Sequence, residues 1–313
     1  MFFGKLNMAK TIGTMLCCLF ALGPISCRAD NLHVLVLLSD LSTPYQSLAN
    51  ALTKTLPASI QTTIKAQSDE STGMEPADLI IAVGMKASLS ALTQPSAPVL
   101  VVMIPKVGYD QLLDQTSAHK NTRVVSAIYF DQSLDQQLSF LRAAFPSQNR
   151  IGLLYSPSAH IDLAHLQQQV AEHGAALVAK PVLSSQTLFS TLDDLLGACD
   201  ILLALPDNKI YNSSTIRNIL LSSYRSEIPF IGLSRAYVTA GALGAIYSTP
   251  EQVSDQIAGA IQYFARTGKL PEPQHPREFS IALNPDVARS LHIELLPTDE
   301  IRSRMDRAHR GAP

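Results

Sequence analysis

Apolar runs and segments with helical spacing alternate along almost the whole chain. "LHVLVLLSD" (32–40), "ADLIIAVG" (77–84), "APVLVVMIP" (97–105) and "TRVVSAIYFD" (122–131) are near-continuous apolar stretches. Strands covered on both faces read this way. "YQSLANALTKTL", "MKASLSALTQ" and "QSLDQQLSFLRAAFP" lie between or after them and place their apolar residues every three or four positions, as in Leu134, Leu138 and Leu141. A second series opens at "NRIGLLYSPS" (149–158). It continues through helix "LAHLQQQVAEHG", strand "AALVAKPV", helix "SQTLFSTLDDLLGA", strand "DILLALP", helix "STIRNILLSSYRS" and strand "IPFIGLS". After "GALGAIYS" (241–248) comes a helix with Pro250 at its start and Gly268 as its stop, then a "KLPEPQHP" linker, strand "REFSIALN" and short tail helices.

Strand followed by helix, repeated, gives parallel sheets with helices on both faces. Two such series joined near 125–148 predict an α/β chain of two lobes, each a parallel sheet flanked by helices and joined by hinge crossovers. The expected division is 30–128 for the N-terminal lobe, completed by 249–283, then 129–248 for the C-terminal lobe and 284–313 for the tail. Hinges are expected near Ser126 to Tyr129, near Leu243 to Ser248, and beside the Pro250 helix.

The first 29 residues read differently. Lys5 and Lys10 precede an apolar stretch from Ile12 to Ile25, too short and too broken by Gly and Pro for a membrane span, and "CRA" offers small residues before Asp30. Residues 1–29 are expected to be an export signal. A lipoprotein signal with Cys27 of "GPISC" as the acylated residue is a competing reading, although Pro24 stands where Leu is usual.

Removing the leader takes away Lys5, Lys10 and Arg28 and no acid. The 24 basic and 26 acidic residues become 21 and 26, a net charge of −5. Of four cysteines only Cys199 remains, so no internal disulfide is available and the fold rests on its hydrophobic core. A mildly acidic chain without a Lys/Arg cluster argues against nucleic acid as partner. No other stretch is long and apolar enough to span a bilayer.

In sheets of this kind ligands sit beyond the carboxyl ends of the strands. Those ends carry Ser39, Asp40, Ser42 and Thr43; Gly84, Lys86 and Ser88; Tyr129; Ser156, Ser158 and His160; Asp207 and Asn208; Ser234 and Tyr237. Hydroxyls and free N–H groups at helix starts suit a carboxylate, and an acid in the opposite wall suits an ammonium. "DILLALPDNKIYNSST" poses the question most sharply, because Pro206 ends a core strand and Asp207 follows at once. Asp207 is either a counter-charge for an amine or a turn residue bonding its own backbone two residues on. Lys86 either meets a carboxylate or caps its helix from solvent. With no Trp in the chain, any aromatic wall comes from Tyr or Phe.

The second half resembles the ABC transporter substrate-binding proteins of the type I periplasmic binding fold, in the branch that includes aromatic amino-acid binders. "RIGLLYSPS", "DILLALPDNKIYNSSTI", "IPFIGLSRAYVTAGALGAIYSTPEQVSDQIA" and "FSIALNPDVARSLHIELLP" carry the resemblance in order, and "ADLIIAVGMKASLSAL" matches the first-lobe pattern. It implies a small-molecule ligand, possibly an amino acid or related amine or carboxylate, an ABC permease as partner, and a periplasmic monomer without cofactor. The chain departs from the pattern after "PVLVV". There a longer Asp-Pro loop usually closes over the ligand, whereas only "MIPKVGYDQLL" stands here.

Enzymatic signatures are missing: there is no Gly-x-Ser-x-Gly elbow, HExxH, CxxC or Walker loop. His160, His165 and His173 do not stack on one helix face as metal ligands would. Lone Cys199 reads as a packing residue. The competing function keeps the fold and drops transport: an envelope sensor or assembly partner with an altered or lost pocket.

Overall fold

The structure is a computed structural model and describes residues 32–67, 75–94, 97–116, 124–159 and 161–311. The expected leader with Cys27, and His160, lie outside them. The first part of the chain runs β1 (His33–Leu38), α1 (Thr43–Thr55), β2 (Gln61–Ala66), β3 (Leu79–Val83), α2 (Met85–Thr93), β4 (Val99–Val102), α3 (Lys106–Thr116) and β5 (Val125–Ile128). The second part opens with α4 (Leu134–Ala144), β6 (Arg150–Tyr155), α5 (Leu163–Glu172), β7 (Ala176–Pro181), α6 (Leu188–Leu196) and β8 (Ile201–Leu203). It continues with α7 (Ile216–Arg225), β9 (Phe230–Gly232), α8 (Arg235–Thr239) and β10 (Gly244–Tyr247). The last elements are α9 (Pro250–Thr267), β11 (Ser280–Leu283), α10 (Pro285–Ser290) and α11 (Thr298–Gly311).

These strands form two sheets, a five-stranded one in the order β2-β1-β3-β4-β5 and a six-stranded one in the order β11-β10-β9-β8-β6-β7. The first is parallel throughout. Its central strands bury both faces, because successive side chains point to opposite sides. Val34, Val36 and Leu38 pack with α1 and α9, whereas Leu35 and Leu37 pack with α2 and α3. The second sheet repeats the plan, with α4, α5 and α11 on one face and α6 and α7 on the other.

Two elements depart from the sequence reading. Strand β2, "QTTIKA", is polar and partly exposed along its whole length, yet pairs with β1 from His33↔Gln61 to Leu38↔Ala66. An edge strand with solvent beside it carries no apolar run, so hydrophobic pattern alone passes over it. Strand β11 was expected within the 249–283 completion of the first lobe. Helix α9 does pack on α1 and the first sheet, through Val253, Ile257 and Ile261. Strand β11 instead pairs antiparallel with β10 at the edge of the second sheet. Its return covers the N–H and C=O groups that β10 would otherwise leave unpaired.

The chain crosses between the sheets three times, at 129–133, at 248–249 and at 268–279. The third crossover lies against β5, where Tyr129 N donates to Gln274 O (2.9 Å) and Gln274 N to Ala127 O (3.0 Å). One side-chain relay joins all three: Gln132 Nε2 donates to Ser248 Oγ (2.7 Å), and that hydroxyl donates to Glu278 O (2.6 Å). Helix α9 is delimited as its sequence predicts. Thr249 and Gln252 form a capping box, Pro250 takes the first turn, and Gly268 ends the helix at φ 67°.

Candidate functional site

The carboxyl ends of both sheets face one cleft of about 540 Å³, within the range of small-molecule sites. The first-sheet side presents Ser42, Tyr45, Met85, Met103, Gln111 and Phe130, and the second presents Ser156, Ser158, Pro206, Asp207, Asn208 and Lys209. One hydrogen bond spans the gap: Gln111 Nε2 donates to Ser158 O at 3.1 Å. It exists because "MIPKVGYDQLL" is helical from Lys106 onward and not a bare loop. Asp131 Oδ1 accepts from Lys106 N (2.9 Å) at the start of α3, and Gln111 then stands one turn beyond Val107 and Gly108 along the cleft.

Of the candidate residues, Ser42, Ser156, Ser158, Asp207 and Asn208 are brought together in the cleft. Asp207 is held from both oxygens. Oδ1 accepts from Lys209 N (3.0 Å), the bond to its own backbone two residues on, and Oδ2 accepts from Ser156 N (2.8 Å) across the β6–β8 ends. The carboxylate thus shapes the second wall and also lines it. A carboxylate can accept about four hydrogen bonds, so two structural ones leave capacity for a ligand donor. Ser156 Oγ and Ser158 Oγ lie 3.0 Å apart beside it.

The other candidates are placed by packing. Ser39 Oγ donates to Val83 O (2.8 Å) and accepts from Ala87 N (3.0 Å), tying β1 to the start of α2. Ser88 is fully buried, with Oγ donating to Gly84 O at 2.7 Å. Thr43 is exposed at the start of α1 and Lys86 at the start of α2. Asp40, whose side chain accepts from Ser42 N (2.7 Å), is held below the usual carboxylate range chiefly by its bonds to Ser42, and Lys86 adds a smaller lowering. Tyr129 is buried against Tyr109 and His275, and that burial raises its phenol to about 12. Ser234 precedes α8, and Tyr237 stacks on Phe230 with its Cβ over Gly232. Neither is among the residues lining the cleft.

Tyr45, Met85, Met103, Gln111, Phe130 and Lys209 were not among the candidates, yet they line the cleft, and Tyr45, Met85, Met103 and Phe130 bring apolar and aromatic side chains to it. Tyr45 leans over Gly84, where a Cβ would lie 2.5 Å from its hydroxyl and where φ is 84°. Only glycine fits that turn. Met103 follows β4 at φ 59°, a left-handed conformation uncommon for a residue with a side chain. The signal available in sequence was position for Met85, Met103 and Phe130, which stand one or two places beyond a strand's carboxyl end, whereas Tyr45, Gln111 and Lys209 lie six to nine places on and carry no such signal.

The walls combine Met, Phe and Tyr surface with one acid, two amides, hydroxyls and a lysine. Such a lining accommodates a molecule with an apolar body and a polar or charged end. Among the described residues, no group of His, Cys, Asp and Glu could hold a metal ion, and no helix is long and apolar enough to cross a membrane. Cys199 is buried on Gly152, and burial raises its thiol to about 11, which makes it a packing residue and not a nucleophile.

Solved structures share this architecture. A conserved domain protein from Vibrio cholerae is 18% identical, with 88% of this chain and 98% of that one covered and a TM-score of 0.60. An ABC domain from Streptococcus pneumonia, in complex with L-Trp, is 17% identical over 87% and 98%, with a TM-score of 0.59. A ligand-free, open substrate binding protein with adhesive properties from Clostridium difficile is 16% identical over 86% and 97%, with a TM-score of 0.63. At these identities the likeness concerns the fold. No curated protein matches the chain. The model of the ABC transporter substrate binding protein family, by contrast, matches residues 45–298. Two mostly parallel sheets facing one cleft, and that match over most of the sequence, lead to one conclusion: the chain belongs to the ABC transporter substrate binding protein family.

Proposed function

We propose that the protein is exported and captures a small amine- or carboxylate-bearing solute, such as an amino acid, between its lobes for delivery to an ABC permease. One observation carries this reading: Asp207 and the serine pair of the second lobe face the Tyr45, Met103 and Phe130 surface of the first across a single cleft. An ammonium meets Asp207, and an apolar body lies on the opposite wall. Closure follows as a population shift. A ligand touching both walls favours the closed arrangement by its differential affinity, and the Gln111–Ser158 bond, which already joins the two walls, adds to that arrangement. Export rests on the leader of residues 1–29. Lipid attachment at Cys27 is the variant of that reading in which the protein stays on the membrane surface.

The test is calorimetry of the protein without its leader against amino acids, small peptides, purines and sugars. The expected result is micromolar or tighter binding of an amine-bearing solute, weakened at least tenfold by Asp207→Asn. A second reading, an envelope sensor or assembly partner whose pocket no longer transports, is favoured by the occupation of both Asp207 oxygens by backbone N–H groups. Silence across the whole panel would remove the transport reading and leave this one.

A further inference from the structure

A second hollow of about 430 Å³ adjoins the main cleft, and Val107, Gln111, Ala159 and Pro206 line both. Its remaining polar lining comes from Lys106, Asp110 and Asp114 of α3, from Asp131 and Gln132 of the first crossover, from Gln137 of α4 and from His275 of the third crossover. Gln132 is only 3% exposed. Ser248 donates its hydroxyl proton to Glu278 O, so it must accept from Gln132, and the amide nitrogen is thereby fixed as the atom facing Ser248. Gln132 Oε1 is then a buried acceptor without a hydrogen-bond partner among the described residues. A buried carbonyl oxygen of this kind calls for a donor from elsewhere.

The donors of the same lining are already directed at protein acceptors. Lys106 N reaches Asp131 Oδ1, Lys106 Nζ reaches Asp110 Oδ2 (2.6 Å), and Gln137 Nε2 reaches Gln132 O (3.1 Å). His275 Nδ1 lies 2.8 Å from Asp131 O, which can only accept, so Nδ1 carries a proton and donates it there. The hollow holds three carboxylates, Asp110, Asp114 and Asp131, beside Lys106 and His275, while Leu134, Ile161 and Leu205 give it an apolar side. Burial also pushes the Asp131 carboxyl above the usual carboxylate range. A neighbouring cation reverses that shift.

We propose that this hollow is a second ligand site, for a small organic ammonium that donates to Gln132 Oε1 and the Asp131 carboxylate and rests a short aliphatic body on Leu134, Ile161 and Leu205. It does not rest on the reading of the main cleft, since the residues that would recognise the ammonium are different ones. A bare metal ion fits less well, because it would leave the apolar side unused.

The experiment is an NMR titration of the 15N-labelled protein with n-butylammonium, with methylammonium and potassium chloride as controls. The expected result is a saturable shift of the Gln132 side-chain amide, with butylammonium binding severalfold tighter than methylammonium and potassium causing no such shift. Asp131→Asn keeps an oxygen for Lys106 N and removes the charge, so it should weaken binding at least tenfold. Should that variant fail to fold, Ile161→Ala serves instead, and it should abolish the preference for the butyl chain. Asp207→Asn should leave the titration unchanged. A Gln132 amide that stays still at saturating amine overturns the proposal. An equal response to potassium overturns it too, as does loss of the shift in Asp207→Asn, which would move the amine into the main cleft.

Discussion

Asp207 holds two backbone N–H groups in place and, in the function proposed above, also meets the ligand's ammonium. Its two backbone bonds join the turn after β8 to the loop after β6. Asp207→Ala is therefore expected to lower stability by about 1 kcal/mol, chiefly from the part-buried Ser156 N–H left unpaired while the exposed Lys209 N–H turns to water, and to weaken ligand binding as well. Asp207→Asn keeps an oxygen acceptor and should lose mainly the ligand's charge partner. Thermal melts and calorimetry on the two variants separate these effects. Asp200 is a purely structural counterpart. It accepts from Asn149 N, Arg150 N, Arg150 Nε and Arg150 Nη2, and so clamps the starts of β6 and β8 together. The Arg150 guanidinium bond is the main cause that holds its carboxyl below the usual range. A depressed carboxylate pKa contributes stability above the unfolded value near 4, and that contribution is lost as pH falls through the folded value. Asp200→Asn should thus cost about 1 kcal/mol at pH 7, and urea titrations should show the difference from wild type closing at pH values below the folded pKa.

Elements with apolar runs were legible in the sequence, and the one without such a run was not. The letters of β1, β3, β4, β6 and β8 are dictated by burial on two faces, which leaves little choice but Val, Ile, Leu and Ala. The letters of β2 are dictated by solvent, and its pairing with β1 depends on a neighbour distant in sequence. Helix α3 was equally hidden, because its cap, Asp131, comes from the far side of β5. Tyr237 makes the same point for the site. Its place after β9 suggested ligand contact, whereas it packs on Phe230 and over Gly232, where an added Cβ would lie 2.3 Å from the tyrosine Cβ. Gly232→Ala should therefore destabilise the second lobe by about 3 kcal/mol, as overpacking does. Denaturant unfolding would read that loss, and an unchanged midpoint would show that Tyr237 is free to move aside.

Among the described residues, the two lobes are joined by three crossovers and by the Gln111–Ser158 bond across the cleft. Gln111→Ala removes the donor to Ser158 O and, at about 1 kcal/mol for one hydrogen bond, should raise the ligand's dissociation constant about fivefold. Small-angle scattering should show the unliganded ensemble expanding. An unaltered affinity would mean that closure does not use this contact. Ser248 stands at the middle of the relay joining the crossovers, and no residue type announces such a role in advance. The sequence by itself determined that there would be two α/β sheets with buried central strands, that helix α9 would start at Pro250 and stop at Gly268, and that polar residues would gather at strand ends. These follow from local chain geometry and from the period of apolar positions. Tertiary structure decided which strand ends meet across the gap, which serines bond their own backbone and which face the cleft, and where β11 pairs. Those outcomes depend on the register of segments far apart in the chain, and a pattern of period two or four carries no information about what lies opposite.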